Sequence, residues 1–177
     1  MAGNKKTRAM PLTPDELLLH LKALGIATRT AHHPPLHTVA ESRALRGDIP
    51  GAQAKNLFVK DKKSRLFLVS TLEDAALDLK LLHQAIGAQG RVSFGSAELL
   101  DEILGLKPGS VTPFAAINDA QQRVTIVLDA ALMAHDLLNF HPLANTRTTS
   151  IAASHLIVFL RACGHEPLIV ALPRQKI

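Results

Sequence analysis

The 177 residues are about the length of one domain, and 47% are hydrophobic, enough for a sizeable core. Aromatics make up only 3%, with no Trp or Tyr, so Leu, Ile, Val and Ala must build that core, and the several aromatic platforms that usually grip single-stranded nucleic acid are missing. Twenty Lys and Arg against fifteen Asp and Glu give a net charge of +5, which suits a phosphate-bearing partner without demanding one.

Residues 1–12, with Lys5, Lys6 and Arg8, are basic and aperiodic and read as a flexible leader. Thr13-Pro14-Asp15-Glu16 opens a helix: Thr13 as N-cap, Pro14 at the first position, acids in the first turn, and Glu16 closing a capping box. Leu17, Leu21 and Leu24 line one face, and Gly25 is placed to end the helix. Ile26 to Ala31 is a strand whose continuation, His32-His33-Pro34-Pro35, cannot be helical. A second helix is expected from Val39 to Leu45, ended by Arg46-Gly47; the Pro50-Gly51 turn then feeds a strand beginning near Lys55. Lys62-Lys63-Ser64 separates that strand from Arg65–Ser70, the pattern of an antiparallel hairpin. Both strands are apolar on alternating sides, so the sheet must be covered twice by helices. Helices are expected over Asp78–Ile86 and Ser96–Leu104, strands over Arg123–Leu128 and Leu137–Leu143, a helix capped by Ser150 and running through Arg161, and a last strand at Leu168–Leu172. The reading is a single α/β domain over residues 13–173, with a mixed, mostly antiparallel sheet packed by helices.

Common catalytic signatures are missing: there is no Gly-x-Ser-x-Gly elbow, no phosphate-binding loop, no Gly-x-Gly-x-x-Gly and no His-Glu-x-x-His. His32, His33 and His37 lie close in sequence, but no spacing among the nine histidines is diagnostic of a metal, and none is expected. Cys163 stands alone, which rules out an intrachain disulfide and a Cys-x-x-Cys site; it reads as inert packing in a reducing, cytoplasmic protein. No run reaches bilayer length, so no membrane association is expected.

Three segments carry the chemistry. Lys55-Asn56-Leu57-Phe58-Val59-Lys60-Asp61 sets two polar residues at the mouth of an apolar strand, Lys55 sharing a face with Leu57 and Val59, and Asn56 with Phe58. Gly109-Ser110-Val111-Thr112-Pro113-Phe114 is a turn-forming loop, and Phe140-His141 precedes a polar stretch ending Arg147-Thr148-Thr149. Taken singly, these read as a solvated strand end, a plain turn and a structural histidine. In this order and spacing they resemble the freestanding YbaK/ProX-type trans-editing proteins, above all the ProXp-ala or PrdX branch of alanyl-tRNA(Pro) deacylases. The resemblance runs from Thr13 through the Phe159–Pro167 segment; the Gln53-Ala54 lead-in and the basic leader depart from the family pattern.

That resemblance implies the roles. Lys55 and Gly109 are expected at the reaction, Lys55 as an electrostatic clamp and Gly109 through backbone groups that a residue without Cβ lets approach closely. Asn56, Ser110, Pro113, His141 and Thr148 are expected to shape the aminoacyl pocket. An aminoacyl ester is already activated, so positioning and fixed dipoles suffice without a nucleophilic triad, and the family implies that the substrate's own ribose hydroxyl assists the water. Lysine is ordinarily charged near neutrality, which suits an anion partner rather than a base. Lys60, Lys62, Lys63 and Arg65 around the hairpin turn are candidates for acceptor-stem phosphates, as are Arg43 and Arg46, although a solvated hairpin tip reads the same way. The expectation is a cofactor-free hydrolase acting in trans on the acceptor end of mischarged tRNA(Pro) carrying alanine, with prolyl-tRNA synthetase as a candidate associate. Two alternatives stay open: a deacylase for Cys-, Ser- or Thr-tRNA, and a non-catalytic tRNA-binding or synthetase-associated module.

Overall fold

The structure, a computed structural model, describes residues 9–35, 38–46 and 49–177. The expected N-cap forms α1 (Pro14–Ala23): Thr13 accepts from the Glu16 N–H at 3.2 Å while the Glu16 carboxylate accepts from the Thr13 N–H at 2.8 Å. Leu17 and Leu21 are buried, but Leu24 is the C-cap and lies exposed, so the apolar face of α1 stops one turn short of the sequence reading. β1 (Thr28–His32) follows, then α2 (Val39–Arg46), opened by a second capping box between Thr38 and Glu41. The Gly47 stop, His37 and most of the basic leader fall outside the described residues, as does the side chain of Arg46. The leader's last residues lie against the domain: the Leu12 N–H donates to Asn118 Oδ1 at 3.0 Å, and Pro11 packs over Gly105.

β2 (Ala52–Lys60) and β3 (Leu66–Leu72) form the expected hairpin. α3 (Leu82–Ile86) is shorter than the helix expected from Asp78, because the Asp78 carboxylate takes the Lys80 and Leu81 N–H groups into a turn that delays the start. β4 (Ser93–Phe94), α4 (Ala97–Leu104), a 3-10 helix (Pro113–Asn118), β5 (Val124–Asp129) and α5 (Ala130–Met133) come next. β6 (Leu137–Phe140) ends before His141-Pro142, since Pro restricts the residue ahead of it. The largest departure follows. Ser150 does not cap a helix; it lies inside β7 (Arg147–Ala152), and α6 (Ala153–Ala162) begins three residues later with no side-chain cap. β8 (Leu168–Val170) closes the order.

The sheet runs β1-β7-β6-β2-β3-β5-β8, with β4 on the edge of β2. It is mixed: β1–β7, β6–β7, β2–β3 and β2–β4 pair antiparallel, and β2–β6, β3–β5 and β5–β8 pair parallel. Alternation along β2 and β3 gives two cores. Phe58, Leu66 and Leu68 join the larger one with α1, α4, the 3-10 helix and α6; Val59, Phe67 and Val69 join the smaller one with Leu82, Ile86 and Leu172. At the centre of the larger core, Phe114 meets Phe140 and Phe159 edge-on, with centroids 5.8 and 5.5 Å apart.

Three buried carboxylates brace the strand ends. Asp61 accepts from the N–H groups of Lys63, Arg65 and Gln89 and from the Arg65 guanidinium, all at 2.9 Å, tying the hairpin tip to the turn before β4. Burial pushes its carboxyl up, but these donors outweigh burial and hold it at about 2. Asp119 takes His165 Nε2 at 2.9 Å and the Arg123 and Val124 N–H groups, and Asp129 takes Thr71 and Arg174; both are also held below the usual carboxylate range against the upward push of burial.

Phe114→Ala should cost about 3–5 kcal/mol in a urea melt, because the neighbouring rings cannot close the void. The depressed carboxylates set the acid limit. Their stabilisation is fully present above the unfolded carboxylate pKa of ~4 and is lost as pH falls through the folded values, so stability should decline between about pH 4 and pH 2. Asp61→Asn should flatten that decline in acid titrations followed by circular dichroism.

Candidate functional site: a notch in the sheet beside Lys55

One edge of β2 serves two neighbours in succession. Ala52 and Gln53 pair with Leu138 and Asn139 of β6; Val59 and Lys60 pair with Phe94 and Ser93 of β4. Between them, Ala54–Leu57 meet no strand on this edge among the described residues. The β2–β6 pairing ends at Gln53 and Asn139; Lys55 and His141 each follow two residues later, His141 just past the end of β6. The Phe58 carbonyl accepts from the Gly95 N–H at 2.9 Å, so by strand alternation the backbone of Asn56 faces this same edge. The Lys55 amine donates to the Ala75 carbonyl in the loop after β3.

The two polar side chains of the pair diverge. Lys55 shares its face with Leu57 and the smaller core, as the alternation requires, whereas the Asn56 carboxamide lies on the larger-core face and accepts from Ser70 Oγ at 2.6 Å. Asn56 thus contributes to the notch through its main chain. On the Lys55 face a polar row crosses the sheet. Ser150 donates to Asn139 Oδ1, Asn139 stands beside Gln53, and Lys55 stands opposite Thr71, whose hydroxyl bonds Asp129 at 2.5 Å. The Asn139 amide also donates to the Pro50 carbonyl at 2.9 Å, and Gly51 lies so close to Asn139 and Leu137 that a Cβ there would sit 3.0 to 3.1 Å from both.

The far wall is built from the 141–148 segment. His141 Nδ1 lies 2.9 Å from the Arg147 carbonyl; a carbonyl only accepts, so Nδ1 carries a proton. The His33 ring stands 6.1 Å from it, with Nδ1 bonded to the Pro34 carbonyl at 2.9 Å and Nε2 to the Thr148 hydroxyl at 2.8 Å. Arg147 is pinned by Asp15 of α1 at 2.6 Å, and the guanidinium holds that carboxyl below its usual range. Gly109 takes φ +89°, and an added Cβ would lie 3.8 Å from Asn145, so the glycine turn borders the loop that carries His141. Ser110 and Pro113 are buried behind it; Pro113 starts the 3-10 helix under a Thr112 cap. His33 was invisible as a site residue in sequence, where His32-His33-Pro34-Pro35 signals only an end to helix.

Lys60, Lys62, Lys63 and Arg65 stand at the far end of β2, Lys60 being about 17 Å along the strand from Lys55. They are not equivalent. Arg65 is engaged by Asp61 and by the Gly87 carbonyl at 2.6 Å and lies over Phe67, so it serves the turn. Lys62 lays its stem across Gly90, while Lys63 is exposed. Arg43 is exposed on α2. Burial pushes the Cys163 thiol up to about 11, which leaves it a poor nucleophile. Among the described residues, no group of three His, Cys, Asp or Glu side chains is gathered for a metal ion. Two cavities lie away from the notch: one of about 590 Å³ between the 9–12 segment and the 3-10 helix, and one of about 520 Å³ beside Met133 and Ser154. No helix among the described residues is long and apolar enough to cross a membrane.

The sequence model of the aminoacyl-tRNA editing domain matches residues 33–159. The prolyl-tRNA synthetase associated domain-containing protein 1 of Danio rerio is 37% identical over 158 residues, covering 88% of this chain and 85% of that protein. Its Mus musculus counterpart is 33% identical over 159 residues, covering 88% and 94%. The prolyl-tRNA editing protein ProX of Acetoanaerobium sticklandii is 31% identical over 150 residues, covering 84% and 91%. Among solved structures, a candidate trans-editing enzyme for prolyl-tRNA synthetase superposes with a TM-score of 0.70 at 16% identity, covering 93% of this chain and 99% of that one. The hypothetical protein APE2540 gives 0.70 at 20% identity, covering 88% and 97%. At these identities the superpositions establish the YbaK/ProX-like fold.

The Gly109 conformation can be tested apart from any activity. Gly109→Ala adds a methyl that meets only an ordinary contact, so its cost is the left-handed backbone alone, about 1–2 kcal/mol in a denaturant melt.

Proposed function

Because the chain belongs to the aminoacyl-tRNA editing domain family, of the YbaK/ProX type, we propose that it deacylates mischarged tRNA(Pro), with alanine as the amino acid removed. The observation that supports this reading is the notch itself: Lys55 lies just past the β2–β6 pairing and His141 just past the end of β6, along a stretch of β2 edge that no strand occupies among the described residues. The names of the relatives, a ProX editing protein and proteins associated with prolyl-tRNA synthetase, support the choice of tRNA.

In this reading the ester carbonyl lies in the notch. Water adds to the carbonyl carbon, the oxyanion forms, and collapse expels the terminal ribose hydroxyl, releasing the amino acid and intact tRNA. Lys55 supplies the positive charge, and the Asn56 main chain, facing the same edge, offers a fixed dipole; such preorganised groups act where charge develops. The ribose hydroxyl next to the ester assists the water, so no side chain is required as general base. His141, with its Nδ1 proton held by the Arg147 carbonyl, and Thr148, oriented by His33, line the aminoacyl side, and the Gly109 turn closes it over buried Ser110 and Pro113. Lys60, Lys62 and Lys63 are placed to meet acceptor-stem phosphates, which position RNA without reading it. Selection is by exclusion of bulk: a site sized for a methyl rejects the proline ring, whereas refusing a ligand one methylene smaller is worth only ~1–3 kcal/mol.

Purified protein should release alanine from Ala-tRNA(Pro) and leave Pro-tRNA(Pro) charged, and Lys55→Ala should lower kcat by about 10²–10³. A panel of Ser-, Cys- and Thr-charged tRNAs identifies the amino acid. Equal release by wild type and Lys55→Ala, with RNA binding intact in both, would replace the enzyme with a non-catalytic tRNA-binding module.

A further inference from the structure

Five of the six phenylalanines are at most 5% exposed; Phe94 is 61% exposed. It is not at a loose end. β4 is held to β2 by pairing at Val59 and Lys60 and by the Gly95 N–H on the Phe58 carbonyl. Gly95 is pressed against the Phe58 ring so closely that a Cβ there would come within 2.5 Å of it. Val92 packs on the smaller core. The backbone around Phe94 is therefore fixed while its ring is left in solvent.

The ring's direction follows from the ladder. Phe94 stands opposite Val59, and opposed residues share a face, so Phe94 projects on the side of the sheet that carries Val59, Leu57 and Lys55. Along β2 it is four residues from Lys55, about 13 Å, and it flanks the unpaired stretch of strand edge on the side away from His141. Cations stand close by along the chain: Lys62 lies over Gly90 and bonds Gln89 through its backbone at 3.1 Å, and Lys62, Lys63 and Arg91 are exposed, whereas Lys60, opposite Ser93, lies on the other face. The one acid at the hairpin tip, Asp61, is already saturated by Arg65 and three backbone donors.

We propose that Phe94 is a stacking platform for an unpaired base at the 3′ end of the tRNA, with Lys62, Lys63 and Arg91 taking the adjoining phosphates. The inference deepens the editing reading and rests on it. A lone exposed ring is small for a protein interface, which needs a contiguous apolar patch of a few hundred Å². A ring set among cations is the combination that holds single strands, because every base offers a π-face and the cations follow the backbone. The ester to be cleaved lies at the end of an unpaired stretch of RNA, and that stretch must cross the sheet face between the notch and the basic hairpin. Phe94 stands on that path. Composition argued against stacking because it counted aromatics; one ring in the right place suffices.

The chain has no Trp or Tyr, so Phe94→Trp introduces a single emitter at the proposed platform. Uncharged tRNA(Pro) should quench its fluorescence, and the same tRNA lacking its unpaired 3′ nucleotides should not. Phe94→Leu, which keeps an apolar side chain but loses the π-face, should weaken binding of intact tRNA by about 5- to 150-fold and leave binding of the truncated tRNA unchanged. In deacylation, Phe94→Leu should raise KM with kcat near wild type. Equal quenching by both tRNAs, or unaltered binding and KM in Phe94→Leu, overturns the platform while leaving the deacylase standing. A Phe94→Trp emission that shifts with protein concentration alone also overturns it, in favour of a second copy covering the ring. Selective quenching by a wild-type-like protein that releases no amino acid keeps the platform and removes the deacylase.

Discussion

The constraint on which the rest depends is the shared edge of β2. A nine-residue strand accepts a parallel partner at its start and an antiparallel partner near its end, and the two partners do not meet. A sheet interior normally has no room for a ligand, because neighbouring strands lie under 5 Å apart. Here the interruption leaves the half-buried Ala54–Leu57 stretch, with Lys55 in it, without a strand on that edge among the described residues. Rigidity comes from the paired edge: β3 holds β2 from Ala54 to Lys60 without a break.

The polar row beside the notch explains why so many hydroxyls and amides are buried in this domain. Thr71, Asn139, Thr148, Thr149 and Ser150 are all under 9% exposed, and each would cost about 1–3 kcal/mol if left unpaired. Cross-strand partners remove that cost: Thr30 stands opposite Thr149 at 2.8 Å and Asn139 opposite Ser150, while Thr71 bonds Asp129 and Thr148 bonds His33. The same bonds orient the side chains around the notch, so stability and placement come from one set of contacts.

Much of this was legible in the chain. The capping box at Thr13, the hairpin around Lys62-Lys63-Ser64, α4 after Ser96 and β5 all follow from period and caps, and strand alternation put Lys55 with Leu57 and Val59. Three things were not legible. β7 reads Arg-Thr-Thr-Ser-Ile-Ala, and its hydroxyls look like a loop and a cap until cross-strand partners are known, although Thr is a good strand former. The 3-10 helix and α5 are too short to show a period. His33 and Phe94 gain their positions from register, which no local pattern encodes.

The pairing of β1 with β7 joins residues 119 positions apart. During synthesis the first strand has nowhere to dock until almost the whole domain has left the ribosome, and closing so long a loop is entropically slow. α1 reaches its neighbours under the same delay, because the buried faces of Leu17 and Leu21 need the larger core. β1 is thus seated only once β7 has been made, and His33 arrives with it to meet Thr148.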